Sequence, residues 1–247
     1  MKVLHRLLRY GKRKTARTVT HVNTQEPVVA LTFDDGPDPV YTPALLEILA
    51  HHKALATFFM VGKRAANNRE IVRQVAEAGH AIGNHTWDHA SLPRLSHQKR
   101  IHQLRACSRA LAPYGQQLLR PPHGHQTWAS ELDAYLLGYT LITWNVSAVD
   151  WLDHEADSLV ERVKSKISPG SIILFHDGLY HTIERRFANR QPTLLAVQCL
   201  LQELGHTYRF VTVPDLLQHG TAVKKVWRHT GDINWLNSLQ DMENTSR

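Results

Sequence analysis

Asp34 and Asp35 stand side by side in "TFDDGPDP", at the end of an apolar run and ahead of a Gly-Pro turn. Adjacent carboxylates repel, so a pair kept at such a place asks for something that separates their duties. "HTWDH" offers it. His85 and His89 lie four apart, a spacing that lets one turn aim two imidazoles at a single metal. Thr86 stands where a protease-like H-E-x-x-H carries Glu, so the base of that chemistry must come from elsewhere. Two histidines and one strand-end Asp form a three-ligand set with positions left for water and substrate, the layout of a catalytic site. With Asp35 as the third ligand, Asp34 is free to act as general base toward water. An Asp before Gly-Pro also serves as a turn cap, and H-x-x-x-H arises by chance among 17 histidines, so neither motif decides alone.

Three further stretches carry reactive types. "RPPHG" places Arg120 before a stiff turn, where a guanidinium could hold Asp34 by a forked hydrogen bond. "VDW" and "LFHD" supply Asp150 and His176. An Asp hydrogen-bonded to His176 favours the imidazolium, which makes His176 a candidate general acid. Each has a plainer alternative: a surface Arg before a proline turn, and a satisfied core histidine.

The elements that must position these residues read as alternating strands and helices. Strands are predicted in "VVALTF", "LATFFMV", "HAIGNH", "QLLRPP", "YTLITWNV", "SIILFHDG" and "YRFVTV". Helices are predicted in "TPALLEILAHH", begun by Thr42 and Pro43, in "REIVRQVAEAG", closed by Gly79, and in "SHQKRIHQLRACSRALAPYG", capped by Ser96. "DSLVERVKSKISPG" and "PTLLAVQCLLQELGH" complete the helical set. Apolar strands alternating with helices imply an α/β fold with a parallel sheet covered on both faces. Seven units without a composition break predict one closed or nearly closed barrel; a doubly wound open sheet is the alternative. The reactive residues fall at strand C-terminal ends, which converge on one mouth in such a barrel. Asp34 and Asp35 are expected to reach that mouth together through the Gly36-Pro37 turn.

In this order, "TFDDGP", "HTWDH", "RPPHG", "VDW" and "LFH" resemble the five motifs of the polysaccharide deacetylases, the NodB-homology or carbohydrate esterase family 4 domain. The resemblance runs from about Val28 to Gln218. It implies a distorted (β/α)7 barrel and metal-dependent hydrolysis of N-acetyl groups from an amino-sugar oligomer or polymer, chitin-like or peptidoglycan-like. It implies Asp34 as catalytic base, Arg120 as the residue that orients it, His176 as general acid and Asp150 as its tether. Asp35, His85 and His89 match the metal triad for one divalent ion, zinc, with cobalt or another transition metal as alternatives. Pro122, His123, Trp151 and Leu174 match the substrate pocket, with Trp151 and Leu174 as walls for the acetyl methyl group. There are two departures. His123 replaces the usual Tyr of R-P-P-Y, at a position whose backbone N–H serves the oxyanion. Ser147 replaces the first Asp of D-x-x-D-W. Rival readings are hydrolysis of another non-peptide C–N bond on the same fold and a non-catalytic carbohydrate-binding relative.

The chain has 247 residues and a net charge of +7, from 29 basic and 22 acidic residues. Seven of the basic residues precede Glu26, so the remainder balances at 22 against 22. A neutral body argues against nucleic-acid binding. The expected division is a basic tail over 1–26, a catalytic domain over 27–218 and an extension over 219–247. The tail reads as solvated, with anionic-membrane contact through residues 1–17 as the sharper alternative. No obligate protein partner is predicted. "VLHRLLRY" is broken by His5, Arg6 and Arg9 and lacks the apolar region of a secretory signal, which predicts a cytoplasmic or membrane-surface location by default. Cys107 and Cys199 read as buried thiols on two helices.

Overall fold

The computed structural model describes residues 18–153, 155–182 and 184–227. Its centre is β2 (Val28–Asp34), buried along its whole length. The residues of β2 alternate between two faces. Val29, Leu31 and Phe33 join the core shared with the helices, whereas Val28 and Ala30 join a second core enclosed by the sheet. By the same alternation Thr32 and Asp34 fall on the enclosed face.

Parallel strands flank β2: β3 (Ala56–Met60) on one side, β8 (Ile172–His176) on the other. β4 (Ala81–Asn84), β5 (Leu118–Leu119) and β6 (Thr140–Leu141) extend the sheet beyond β3, and β7 (Val146–Ser147) extends it beyond β8. β9 (Arg209–Phe210) pairs with the start of β2. The sheet curls into an incomplete parallel barrel, as the sequence predicts. The predicted fifth strand, "YTLITWNV", differs: it is split into β6 and β7, which form the two ends of the sheet path.

The helices are α1 (Tyr41–His51), α2 (Gly62–Asn67), α3 (Arg69–Glu77), α4 (His97–Leu111), α5 (Trp128–Leu136), α6 (Ala156–Lys164), α7 (Gln191–Leu204) and the short α8 (Val213–Leu216). Ser96 caps α4 as expected, its side chain accepting from Lys99 N–H. Thr42 does not cap α1, which begins at Tyr41; its hydroxyl instead accepts from Asp38 N–H and donates to Asp177. The short α2 and the helix α5 lie in stretches that the periodicity of the sequence leaves unassigned.

Residues assigned from sequence to the two tails also take part. β1 (Thr18–Asn23) pairs antiparallel with β10 (Thr221–Lys225). Val19 and Val22 are buried, and β1 bridges both Ile142 and Ser171, so it sits between the end of β6 and the start of β8. The reading of residues 1–17 as tail or membrane contact lies outside the described residues. No helix among the described residues is long and apolar enough to cross a membrane. Cys107 is buried, its thiol pushed up to about 12 by burial; neither cysteine forms a disulfide.

Candidate metal and catalytic site

Asp34 ends β2 in register with His176 at the end of β8, so the candidate base and acid start as neighbours across one parallel pair. Asp35 has already left the strand. Its φ of 76° puts it in the left-handed region, and this, before Gly36-Pro37 takes effect, redirects its side chain to the mouth. His89 (φ 59°) and His123 (φ 58°) share that conformation, as does β-branched Val149 (φ 60°) just before Asp150. Such residues cost on the order of 1–3 kcal/mol each and persist only where the surroundings impose them.

His85 and His89 lie on a loop after β4, not on a helix. The N-terminus of α2 secures it: Gly62 and Lys63 N–H donate to the carbonyls of Thr86 and Trp87 at 2.9 and 2.7 Å. Gln103 of α4 accepts from Trp87 and Asp88 N–H. The Nδ1 of His85 lies 2.6 Å from the carbonyl of Arg120, an acceptor only, so Nδ1 carries the proton and Nε2 is left with a lone pair. That Nε2 is 3.3 Å from Asp35 Oδ1, and His89 Nε2 is 3.0 Å from the same oxygen.

These three residues present ligand atoms all within 4.8 Å of one another, and all three are buried. Among the described residues, Asp35 Oδ1 and His85 Nε2 have no hydrogen-bond partner. Two buried acceptors facing each other at that distance are unfavourable unless a cation stands between them. The donor set, two imidazoles and one carboxylate, therefore fits a divalent transition metal. Burial alone would raise the Asp35 carboxyl, but the two imidazoles set close to it, His89 foremost, hold it well below the usual range. Its second oxygen accepts from Tyr180 N–H at 2.9 Å.

Arg120 holds Asp34 from inside the barrel. Its guanidinium is fully buried and donates to Asp34 Oδ1 at 2.8 Å, to the Thr32 hydroxyl and to the carbonyl of Thr143. It stacks on Phe59, 4.2 Å from the ring centre. Burial pulls its pKa down, and Asp34 opposes that.

His176 Nδ1 lies 2.8 Å from Asp150 Oδ1, and its backbone N–H donates to the other oxygen. Burial would lower the imidazole, but the charge and hydrogen bond of Asp150 outweigh it and leave the pKa raised. Asp150 has a partner that sequence reasoning missed. Arg190 is buried, donates to Asp150 Oδ2 and to the Asp150 carbonyl, and reaches the His176 carbonyl as well. It stands 40 residues away in "NRQPT", where nothing local marks it as more than a loop cation before a helix.

A cavity of about 160 Å³ opens over these groups. Of the predicted pocket residues, His123, Trp151 and Leu174 line it; Pro122 is buried in the adjoining turn and, among the described residues, does not. Trp144, Leu179 and His181 line it without having been predicted. Trp151 presents its ring to His176 at 5.3 Å. His123 packs its ring 4.6 Å from that of His89, outside the converging triad; burial, with the charges of His89 and His125, keeps it well below the ordinary histidine range. At the second departure, Ser147 Oγ accepts from Val149 N–H and braces the turn that carries Asp150.

Comparison with known proteins adds the family context. A family profile described as polysaccharide deacetylase matches residues 21–142. A peptidoglycan-N-acetylglucosamine deacetylase of Bacillus cereus is 36% identical over 218 residues, 86% of this chain and 99% of its own length. A chitooligosaccharide deacetylase of Sinorhizobium fredii is 35% identical over 168 residues, 66% of this chain and 77% of its own. Among solved structures, the Bc1960 peptidoglycan N-acetylglucosamine deacetylase aligns with a TM-score of 0.76 at 31% identity, covering 85% of this chain and 97% of that one. A CE4 family pseudoenzyme from Bacillus anthracis aligns at 0.74 and 25% identity, covering 87% and 73%. One fold therefore serves both an enzyme and a pseudoenzyme, and the side chains at the mouth carry the functional argument.

Proposed function

Since this chain belongs to the polysaccharide deacetylase family, we propose that it removes N-acetyl groups from an amino-sugar oligomer or polymer with Asp34 as base and His176 as acid. It is a hydrolase of carbon–nitrogen bonds in a metal-dependent family. The observation that carries the assignment is the opposition of two tethered groups, Asp34 on Arg120 and His176 on Asp150, at one cavity that also holds the Asp35–His85–His89 triad.

When bound, a divalent ion held by Asp35, His85 and His89 polarises a carbonyl and lowers the pKa of a water. Zinc suits two imidazoles and a carboxylate with open positions. Arg120 occupies one oxygen of Asp34, which leaves the other to take a proton from the attacking water as the new carbon–oxygen bond forms. Asp150 occupies Nδ1 of His176, which leaves Nε2 to give a proton to the nitrogen as the carbon–nitrogen bond breaks. The products are acetate and a free amino sugar. Trp151 and Leu174 form apolar wall beside this point, suited to the acetyl methyl group.

The two kinds of relative share the N-acetylglucosamine unit, named in one and repeated in the other, so we infer that unit as the substrate element. The test is acetate release from chitin oligomers and peptidoglycan fragments, with zinc and with chelator. Wild type is expected to act on at least one and to stop with chelator. Asp34→Asn should lose roughly 10²–10⁴-fold in rate while keeping its zinc, whereas Asp35→Asn and His85→Ala should lose zinc as well. Full activity in Asp34→Asn would sink the proposed base.

A further inference from the structure

We propose that Trp227, brought in by β10 from beyond the catalytic motifs, forms with Trp144 an aromatic wall for a sugar ring next to the one that reacts. The proposal rests on the deacetylase reading above. The β1–β10 ribbon leads to the turn that carries His123. At its end Thr18 is in register with Lys225, and the Thr18 hydroxyl donates to Gln126 Oε1 at 2.8 Å. Two residues past Lys225, the Trp227 indole N–H donates to the Gly124 carbonyl at 3.1 Å.

Trp144 lines the cavity over Asp34 and His176. The Trp227 ring packs on it with centres 5.6 Å apart at 64°. Gly124 (φ 68°) lies between the turn and both indoles: a Cβ there would stand 3.1 Å from Trp227 Nε1 and 3.2 Å from Trp144 Cη2. Trp227 is therefore one ring outward from the cavity and is still half-buried.

The size of the cavity makes that position useful. About 160 Å³ is well below the roughly 300–1,000 Å³ of pockets that enclose a whole small molecule. It takes the acetamido group and part of its own ring. The next ring of an oligosaccharide has to lie on the rim, and on the Trp144 side the rim continues as Trp227. Indole faces suit the apolar C–H face of a pyranose, and the indole is rigid, so little entropy is lost on contact.

The test compares full-length, zinc-loaded wild type, Trp227→Ala and Trp227→Phe on N-acetylglucosamine itself and on its oligomer of five units. Trp227→Ala is expected to lose roughly three- to tenfold in kcat/KM on the pentamer, mainly through KM, and to act normally on the single sugar, which has no neighbouring ring. Trp227→Phe should recover most of the loss, because it keeps a ring on Trp144. Normal turnover of the single sugar also shows that the variant is folded. Equal losses on both lengths would mean that Trp227 only braces the His123–Gly124 turn and would overturn the wall, as would no loss on either. Should wild type release no acetate, the deacetylase reading falls. Calorimetric titration of the pentamer into wild type and Trp227→Ala then decides the wall by itself, and equal affinities would overturn it.

Discussion

Asp34 keeps the geometry of β2 and lies against Arg120, while Asp35, one residue on, has turned into the left-handed region and faces two imidazoles. One backbone rotation gives neighbouring carboxylates different partners, and that removes the repulsion that makes the pair look costly in sequence. A similar division holds on the acid side. His176 is kept readily protonated because Asp150 is anionic, and Asp150 stays anionic because Arg190 faces it, despite complete burial. A raised His176 pKa keeps the proton available to higher pH, so activity should fall on the alkaline side only above the ordinary histidine range. Replacing Asp150 by Asn removes the anion, lets burial lower the imidazole and should move that alkaline limb to lower pH, with kcat reduced. A pH–rate profile of Asp150→Asn with an unmoved limb would contradict this role for His176.

At the scale of elements, the loop that carries His85 and His89 is held from outside the sheet. Two N–H groups at the start of α2 and one glutamine of α4 hold its backbone. α2 reaches the loop only because Gly62 lets the two helices meet: a Cβ there would stand 2.7 Å from Cys107 Cα and 2.8 Å from the Trp87 ring. Backbone on one side and an indole on the other leave little room to give. Gly62→Ala is therefore expected to destabilise by about 1–3 kcal/mol and to loosen the loop. A melting temperature lower by several degrees and weaker zinc binding, read by competition with a chelator, would be the result. An unchanged zinc affinity would show that α2 does not set the ligand geometry.

At the scale of the whole molecule, His80 and Asp177 are buried groups whose titrations affect stability with opposite sign. His80 accepts from Ala56 N–H and is lowered by burial to about 4. It stays neutral in the fold while the unfolded chain takes up a proton below about 6.5, so its contribution falls as pH drops from 6.5 toward 4. Asp177, held by Gly36 N–H and Thr42, is raised by burial to about 7. The fold then binds a proton that the unfolded chain has lost, so this contribution falls as pH rises from about 4 to 7. In wild type the two partly cancel. Asp177→Asn removes one, so its melting temperature should climb more steeply than that of wild type between pH 4.5 and 6.5. Parallel curves would show that Asp177 does not titrate there.

Residue types, the succession of strands along the chain and their alternation with helices are local properties, and the sequence by itself determined them: hydrophobic period sets the strands, and strand ends set where polar side chains emerge. The five motifs are short for the same reason and could be read directly. Tertiary structure alone decided the rest. Arg190 meets Asp150 across 40 residues, β1 enters the gap between β6 and β8, and Trp227 meets Gly124 across 103 residues. No spacing encodes such contacts, because they follow from how the sheet curls and which faces then meet. Nor does composition announce that Asp35 and His89 take left-handed backbone. That conformation is locally unfavourable, and only the packing and hydrogen bonds around the mouth make it the stable one.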